Sequence, residues 1–362
     1  MIEVPPPYRS FASDNVAGAH PAVLEAVIAA NEGSAAAYGD DPYTAECEAR
    51  FEALFGRPVT VRLTFNGTGA NVMAFAAMLG ALRGPVHAVV CTEWSHAHMD
   101  EAGAPERILG AKLIDLPSAD ARLRPEDLDA VASLRSGPHH APPGIVTITQ
   151  PTELGTLYVP DEIAALCARA HELGLLVHLD GARIANAVAA LGGDASALRA
   201  QTSEAGVDVM SFGGTKNGAL GAEAVVVFTP ELATGIDHVR KQVTQLASKT
   251  RFLAAQFNAL LDDDRWIALG GHANRMAARL HELTHDIPGV RLDGPPQVNS
   301  LFPCLAPHMI EPLREWSFHW EWDSSRGQVR WMTAWDTTDD DLERFAAGVR
   351  AAAMALPHDD PA

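Results

Sequence analysis

The chain has 362 residues, 47% of them apolar, with 27 Lys and Arg against 46 Asp and Glu. That composition supports a buried core and excludes overall disorder, and the length favours two domains over one. A formal net charge of −19 argues against nucleic acid or an anionic membrane as the main partner and towards small-molecule chemistry. Four scattered cysteines, Cys47, Cys91, Cys167 and Cys304, read as a reduced cytosolic chain. The start, Met1 to Pro7, has neither the basic nor the apolar segment of a leader, and no apolar run is long enough for a membrane helix. A cytoplasmic protein is expected.

In chain order, apolar, β-branched runs predict strands near Val59 to Phe65, Val86 to Cys91, Lys112 to Leu116, Ile145 to Thr149, Leu175 to Asp180, Val207 to Phe212 and Ala224 to Phe228. Their continuity predicts burial on both faces, as in a largely parallel sheet covered by helices. One covering helix is clear over Asp161 to Leu173, where Ile163, Leu166, Cys167 and Ala170 recur at helical spacing, acids open the first turn and Gly174 closes it. Beyond Pro230 the spacing predicts longer helices, over Ala233 to Leu261 and Ala273 to Asp286. Short extended runs follow, and a last helix spans Asp339 to Leu356. The expected organisation is an N-terminal arm over 1–20, a large domain over 21–247 and a smaller α+β domain over 248–362, with the proline-rich start and the tail after Leu356 frayed.

Two strand ends carry the strongest chemical signal. One strand closes in Asp180-Gly181-Ala182-Arg183, and another runs into Gly213-Gly214-Thr215-Lys216-Asn217. A pyridoxal phosphate site needs an amine that can bond the cofactor aldehyde and a carboxylate that keeps the pyridine nitrogen protonated. Either residue alone also suits a loop lysine or a capping acid; the pair is the informative feature. Asn66-Gly67-Thr68-Gly69-Ala70-Asn71 follows a strand and opens a helical run to Leu82, which suits a phosphate, although a lone Gly-x-Gly also suits a plain turn. In Trp94-Ser95-His96-Ala97-His98 an imidazole can lie flat on an aromatic cofactor. The two histidines lack further ligands at zinc spacings, so no metal is expected.

Together with Phe11-Ala12-Ser13-Asp14-Asn15, Tyr38-Gly39-Asp40-Asp41-Pro42 and Arg330-Trp331-Met332-Thr333, these elements resemble the threonine aldolase family, which belongs with the β-eliminating lyases. The resemblance runs over nearly the whole chain. It implies an α/β fold of the pyridoxal phosphate-dependent transferase type, fold type I, as in aspartate aminotransferase: a large domain with a mostly parallel seven-stranded sheet and a smaller C-terminal α+β domain. It further implies pyridoxal 5'-phosphate as cofactor and retro-aldol cleavage of L-β-hydroxy-α-amino acids to glycine and an aldehyde, the alternative being β-elimination or other pyridoxal chemistry on an amino acid. Lys216 is implied as the covalent anchor, Asp180 as the partner of the pyridine nitrogen and His96 as the stacking residue. Gly67 and Thr68 would hold the phosphate, with Arg183 close by. Ser13, Arg183 and Arg330 would hold the substrate carboxylate. Tyr38 is implied as a residue lent across a subunit boundary in a homo-oligomer, a dimer unit forming a tetramer.

The sequence departs from the family pattern twice. Where many members have a histidine proposed to act on the β-hydroxyl, this chain has Thr152 with Glu153 beside it. The stretch Arg240 to Gln245 is less basic than in relatives and lacks their paired glycines.

Overall fold

The computed structural model of the protein describes residues 2–82, 87–135 and 137–355. Val86, at the start of the second expected strand, and the tail from Leu356 lie outside them. The chain forms two compact units, Ala19–Ile267 and the combination of Met1–Gly18 with Ala268–Ala362.

The larger unit is built on seven strands: β1 (Thr60–Thr64), β2 (Ala88–Thr92), β3 (Lys112–Leu116), β4 (Pro143–Thr149), β5 (Leu176–Gly181), β6 (Val209–Gly213) and β7 (Glu223–Val227). Their order across the sheet is β1-β7-β6-β5-β4-β2-β3. The five strands from β6 to β3 run parallel, whereas β7 is antiparallel to both neighbours. Every residue of β2, β6 and β7 is buried, as helices on both faces require. The helix Pro160–Glu172 starts on its proline, places Asp161 and Glu162 in the first turn and buries Ile163, Leu166, Cys167 and Ala170. The helix Gly67–Ala81 packs on strands β4 to β7 and buries nine residues, nearly all apolar. The exception is Asn71.

The helical stretch expected over 233–261 is interrupted. A short helix ends at Gln242, Thr244 adopts a left-handed φ of 65°, and regular helix resumes only at Arg251. The reversal turns Gln245 back towards the sheet, where its Oε1 accepts from the Phe65 amide at 3.0 Å. The helix Arg251–Leu261, expected with the smaller domain, belongs to the larger unit because Phe257 packs edge-on against Phe51 and Phe212 there.

The smaller unit holds a second, antiparallel sheet: β8 (Val290–Arg291), β9 (Ser300–Leu301), β10 (Cys304–Leu305), β11 (Trp320–Asp323) and β12 (Gln328–Met332). Trp331 is fully buried with its ring edge-on to Phe345, which also meets Phe11. The proline-rich start does not fray. The Trp316 indole donates to the Val4 carbonyl at 2.7 Å, and the amides of Tyr8 and Arg9 donate to Asp341.

Candidate active site

Asp180 sits at the C-terminal end of β5, almost wholly buried. Its Oδ1 accepts from the Ala182 amide at 2.9 Å and its Oδ2 from Asn71 Nδ2 at 2.8 Å. Burial works to raise its pKa, but the charge of His96, the Asn71 hydrogen bond, His178 and the Ala182 amide together hold it below the ordinary value. A buried, ionised carboxylate at a strand end is therefore built in. Asn71 Nδ2 also donates to Glu101 Oε1 at 2.9 Å, and that same oxygen lies 3.0 Å from His96 Nδ1. His96 is brought into the Asp180 cluster by this route, and the Glu101 hydrogen bond is the main reason its pKa is raised.

Lys216 lies in a single 3-10 turn, Thr215–Asn217, directly after β6, the strand beside β5. The turn is cramped from below. A Cβ on Gly213 would land on the Ala182 backbone, and one on Gly214 would sit 2.6 Å from the Ala222 carbonyl oxygen. These glycines thus serve close backbone approach as much as turn geometry. The Gly214 amide donates to Glu223 Oε2 at 3.0 Å, and Glu223 is buried on β7. Burial pushes the Glu223 carboxyl up to about 7 despite Thr215 and the Lys216 charge. Lys216 also lowers the pKa of His96, so its ammonium acts on the same cluster as Asp180.

Gly67 and Thr68 open the helix Gly67–Ala81, whose N-cap Asn66 accepts from the Gly69 amide at 2.7 Å. Their own amides stand outside the intrahelical ladder, at the positive end of the helix. A Cβ on Gly67 would meet nothing within 4 Å, whereas one on Gly69 would collide with the Gln245 carboxamide. The stretch that departs from its relatives therefore supports this turn from beneath through Gln245.

Arg183 is the N-cap of the helix Ile184–Ala190, three residues beyond Asp180. Ser13 and Arg330 belong to the smaller unit. Ser13 caps the short turn Asp14–Val16, and Arg330 on β12 donates to the carbonyl of the preceding residue, Ala12, at 3.3 Å while stacking over Trp322 at 5.2 Å. Those two are thus neighbours. Tyr38 is exposed, in a left-handed conformation, with Lys241 5.4 Å over its ring. Thr152 is buried and bonded to Thr156, while Glu153 Oε1 accepts from the His96 amide at 2.9 Å and from Thr149 Oγ1 at 2.7 Å. Glu153 Oε2 is buried with no partner among the described residues, and burial pushes this carboxyl up to about 7. Of the two, Glu153 is the one joined to the cluster.

Sequence reasoning missed Asn71, Glu101, Ser211 and Glu223 as members of the site. Asn71 had a signal, a buried carboxamide in an otherwise apolar helix; Glu101 and Glu223 had none, since each sits among other acids or in an apolar strand.

The donor set fits one group. An ionised strand-end carboxylate, a lysine at the end of the next strand and an anion-ready helix start suit the pyridine, aldehyde and phosphate of pyridoxal 5'-phosphate. The fold is that of the aspartate aminotransferase type of pyridoxal phosphate enzymes; an aspartate aminotransferase of Rhodobacter sphaeroides superposes with a TM-score of 0.67 over 98% of this chain and 94% of that one, at 18% identity. Residues 10–306 match the beta-eliminating lyase family, and the chain belongs to it. A low specificity L-threonine aldolase of Pseudomonas aeruginosa is 42% identical over 94% of this chain and 97% of its own, and one from a Pseudomonas species is 41% identical over 96% and 99%. The structure of a threonine aldolase of Leishmania major matches with a TM-score of 0.86 at 30% identity, over 95% of this chain and 99% of that one. The family works with pyridoxal phosphate.

Proposed function

We propose that this protein cleaves L-β-hydroxy-α-amino acids of the threonine, allo-threonine and phenylserine type to glycine and an aldehyde. It is a pyridoxal phosphate-dependent carbon–carbon lyase of the threonine aldolase type. The observation that carries this reading is the Asp180, Asn71, Glu101 and His96 cluster beside the Lys216 turn, in a chain aligned over nearly its full length with low specificity L-threonine aldolases. Bound to the substrate amine, the cofactor supplies a sink for the electron pair released when a Cα bond breaks.

In this reading the chain's residues divide the work. Asp180 keeps a fixed negative charge where the pyridine nitrogen lies, and Lys216 anchors the cofactor and carries a proton at Nζ. His96 stacks and offers a ring nitrogen, Gly67 and Thr68 bind phosphate, and Arg183, Ser13 and Arg330 fix the substrate carboxylate. Tyr38 completes a neighbouring subunit's site. The domain division follows the two compact units, with the first eighteen residues serving the smaller one. The working form is a cytoplasmic homo-oligomer, a dimer unit forming a tetramer, supported by exposed Ile28, Tyr38, Phe65 and Leu220 on the larger unit. Among the described residues no helix is long and apolar enough to cross a membrane.

Lys216→Ala should abolish turnover. The chain has only three other lysines, Lys112, Lys241 and Lys249. Borohydride reduction followed by mass spectrometry should place the pyridoxyl group on Lys216, and a label on any of the other three would overturn the assignment. Glycine and acetaldehyde from threonine support the aldolase; 2-oxobutanoate and ammonia would mean elimination instead.

A further inference from the structure

We propose that Glu101 and Asn71 are positioning residues that fix the proton of His96 on Nδ1 and leave Nε2 as its basic, accessible nitrogen, through a hydrogen-bond chain whose direction admits one arrangement. The chain runs across the sheet from β4 to His96. Thr147 Oγ1 lies 2.9 Å from His178 Nδ1, His178 Nε2 lies 3.1 Å from Ser211 Oγ, and Ser211 Oγ lies 2.8 Å from Asn71 Oδ1. Asn71 Nδ2 then reaches Asp180 Oδ2 and Glu101 Oε1, and Glu101 Oε1 meets His96 Nδ1.

Donor counting orients every link. Asn71 faces two carboxylates, so its NH2 must point at them and its Oδ1 must accept. Ser211 has one proton, and among the described residues Ser211 is the donor to Asn71 Oδ1, so that proton is committed. His178 must therefore present Nε2–H to Ser211 and use Nδ1 to accept from Thr147. His178 is fully buried and burial pushes its pKa down to about 4, in keeping with a neutral ring. At the other end, a carboxylate oxygen facing His96 Nδ1 requires the proton there. The Glu101 side chain is fully buried and that of His96 is 40% exposed, so the edge of the ring turned away from Glu101 is the accessible one. It carries Nε2.

The charges that bear on His96 are Glu101, Asp180 and Lys216, with Glu153 bound to its amide. The hydrogen bond to Glu101 outweighs them and raises the basicity of the ring. Its weight in catalysis rests on the aldolase reading: an imidazole held in one tautomer by a buried carboxylate is a proton acceptor prepared for a hydroxyl. The proton placement itself stands independently of that reading.

The test is 15N NMR of histidine-labelled, cofactor-free protein, which reads tautomers without turnover. In the unaltered protein His96 should show the Nδ1–H form and titrate above the ordinary histidine value, and His178 should be neutral with Nε2–H. A His96 in the Nε2–H form, or one titrating below the ordinary value, overturns the proposal whatever the variants do. Glu101→Gln should shift the His96 titration downwards and leave His178 unchanged. Asn71→Ala should release His178 into a mixture of tautomers, because Ser211 regains a free proton. An unmoved His96 in the first variant, or an unmoved His178 in the second, removes the corresponding link and the proposal with it.

Discussion

Strands β4 and β5 lie side by side and each delivers a buried carboxyl to the same place, yet the two are set to opposite states. Thr149 near the end of β4 is paired in register with Asp180 on β5, and Glu153 follows four residues later. Each carboxyl is penalised by burial, and each accepts hydrogen bonds: Asp180 from Asn71 and Ala182, Glu153 from Thr149 and the His96 amide. Asp180 is nonetheless held low and Glu153 is pushed up to about 7. The difference lies in what offsets burial. For Asp180 the charge of His96 and the hydrogen bonds from Asn71 and Ala182 outweigh it, whereas burial dominates at Glu153, which has hydrogen bonds but no cation, and Asp180 adds a smaller upward push. One cationic neighbour thus leaves two similar carboxyls in different states.

The largest effect should come from cancelling the first charge. Asp180→Asn should fold and lose roughly 10² to 10³-fold in turnover, since an amide cannot stabilise a protonated pyridine nitrogen as a carboxylate does. It should also let Glu153 titrate lower, which a carboxyl infrared band would follow; turnover close to normal would refute the electronic role. Next in size, Asn71→Ala removes a donor from both Asp180 and Glu101. Denaturant unfolding should show a loss of about 1–3 kcal/mol, the cost of leaving buried acceptors unpaired.

Glu153→Gln probes the other side of the comparison. A carboxyl whose folded pKa is raised from 4.5 to about 7 gives stability that is whole below 4.5 and is lost as pH rises through 7. The variant should therefore be more stable than the unaltered protein at about pH 8, by on the order of 1–3 kcal/mol, with the advantage gone in acid. Melting curves across that range would show it, and a pH-independent difference would contradict it. Smallest should be Thr149→Val, which removes one hydroxyl from Glu153 and costs about 1 kcal/mol.

The fold was largely legible because a buried parallel strand and a flanking helix write different periods. Lys112 to Leu116 is a strand in both readings, and Asp161 to Leu173 differs from the helix Pro160–Glu172 by one residue at each end. The antiparallel direction of β7 was not legible, since a strand buried on both faces reads alike either way. Nor was the break after Gln242: helical spacing continues through it, and only the tertiary bond from Gln245 to Phe65 demands the turn. Asp180 and Lys216 were visible as strand-end residues, and they lie at the end of β5 and in the turn after β6. Glu101 was not visible, because its meaning depends on which nitrogen of His96 it meets, a distance that the four intervening residues do not encode.

The antiparallel β7 bears on how the chain is made. Among the described residues strand β1 joins the sheet only through β7, so Thr60 to Thr64 has no partner strand there until Glu223 to Val227 has left the ribosome. The strand order also seats β7 between β1 and the parallel strands, so the sheet can grow from β2 to β6 while its earliest segment waits. A nascent chain stalled near residue 200 would present an unpaired strand and the apolar underside of the helix Gly67–Ala81, the two features that most readily recruit other unfolded chains. Slow synthesis across that interval should favour aggregation, and rapid completion of the β7 hairpin should end the exposure in one step.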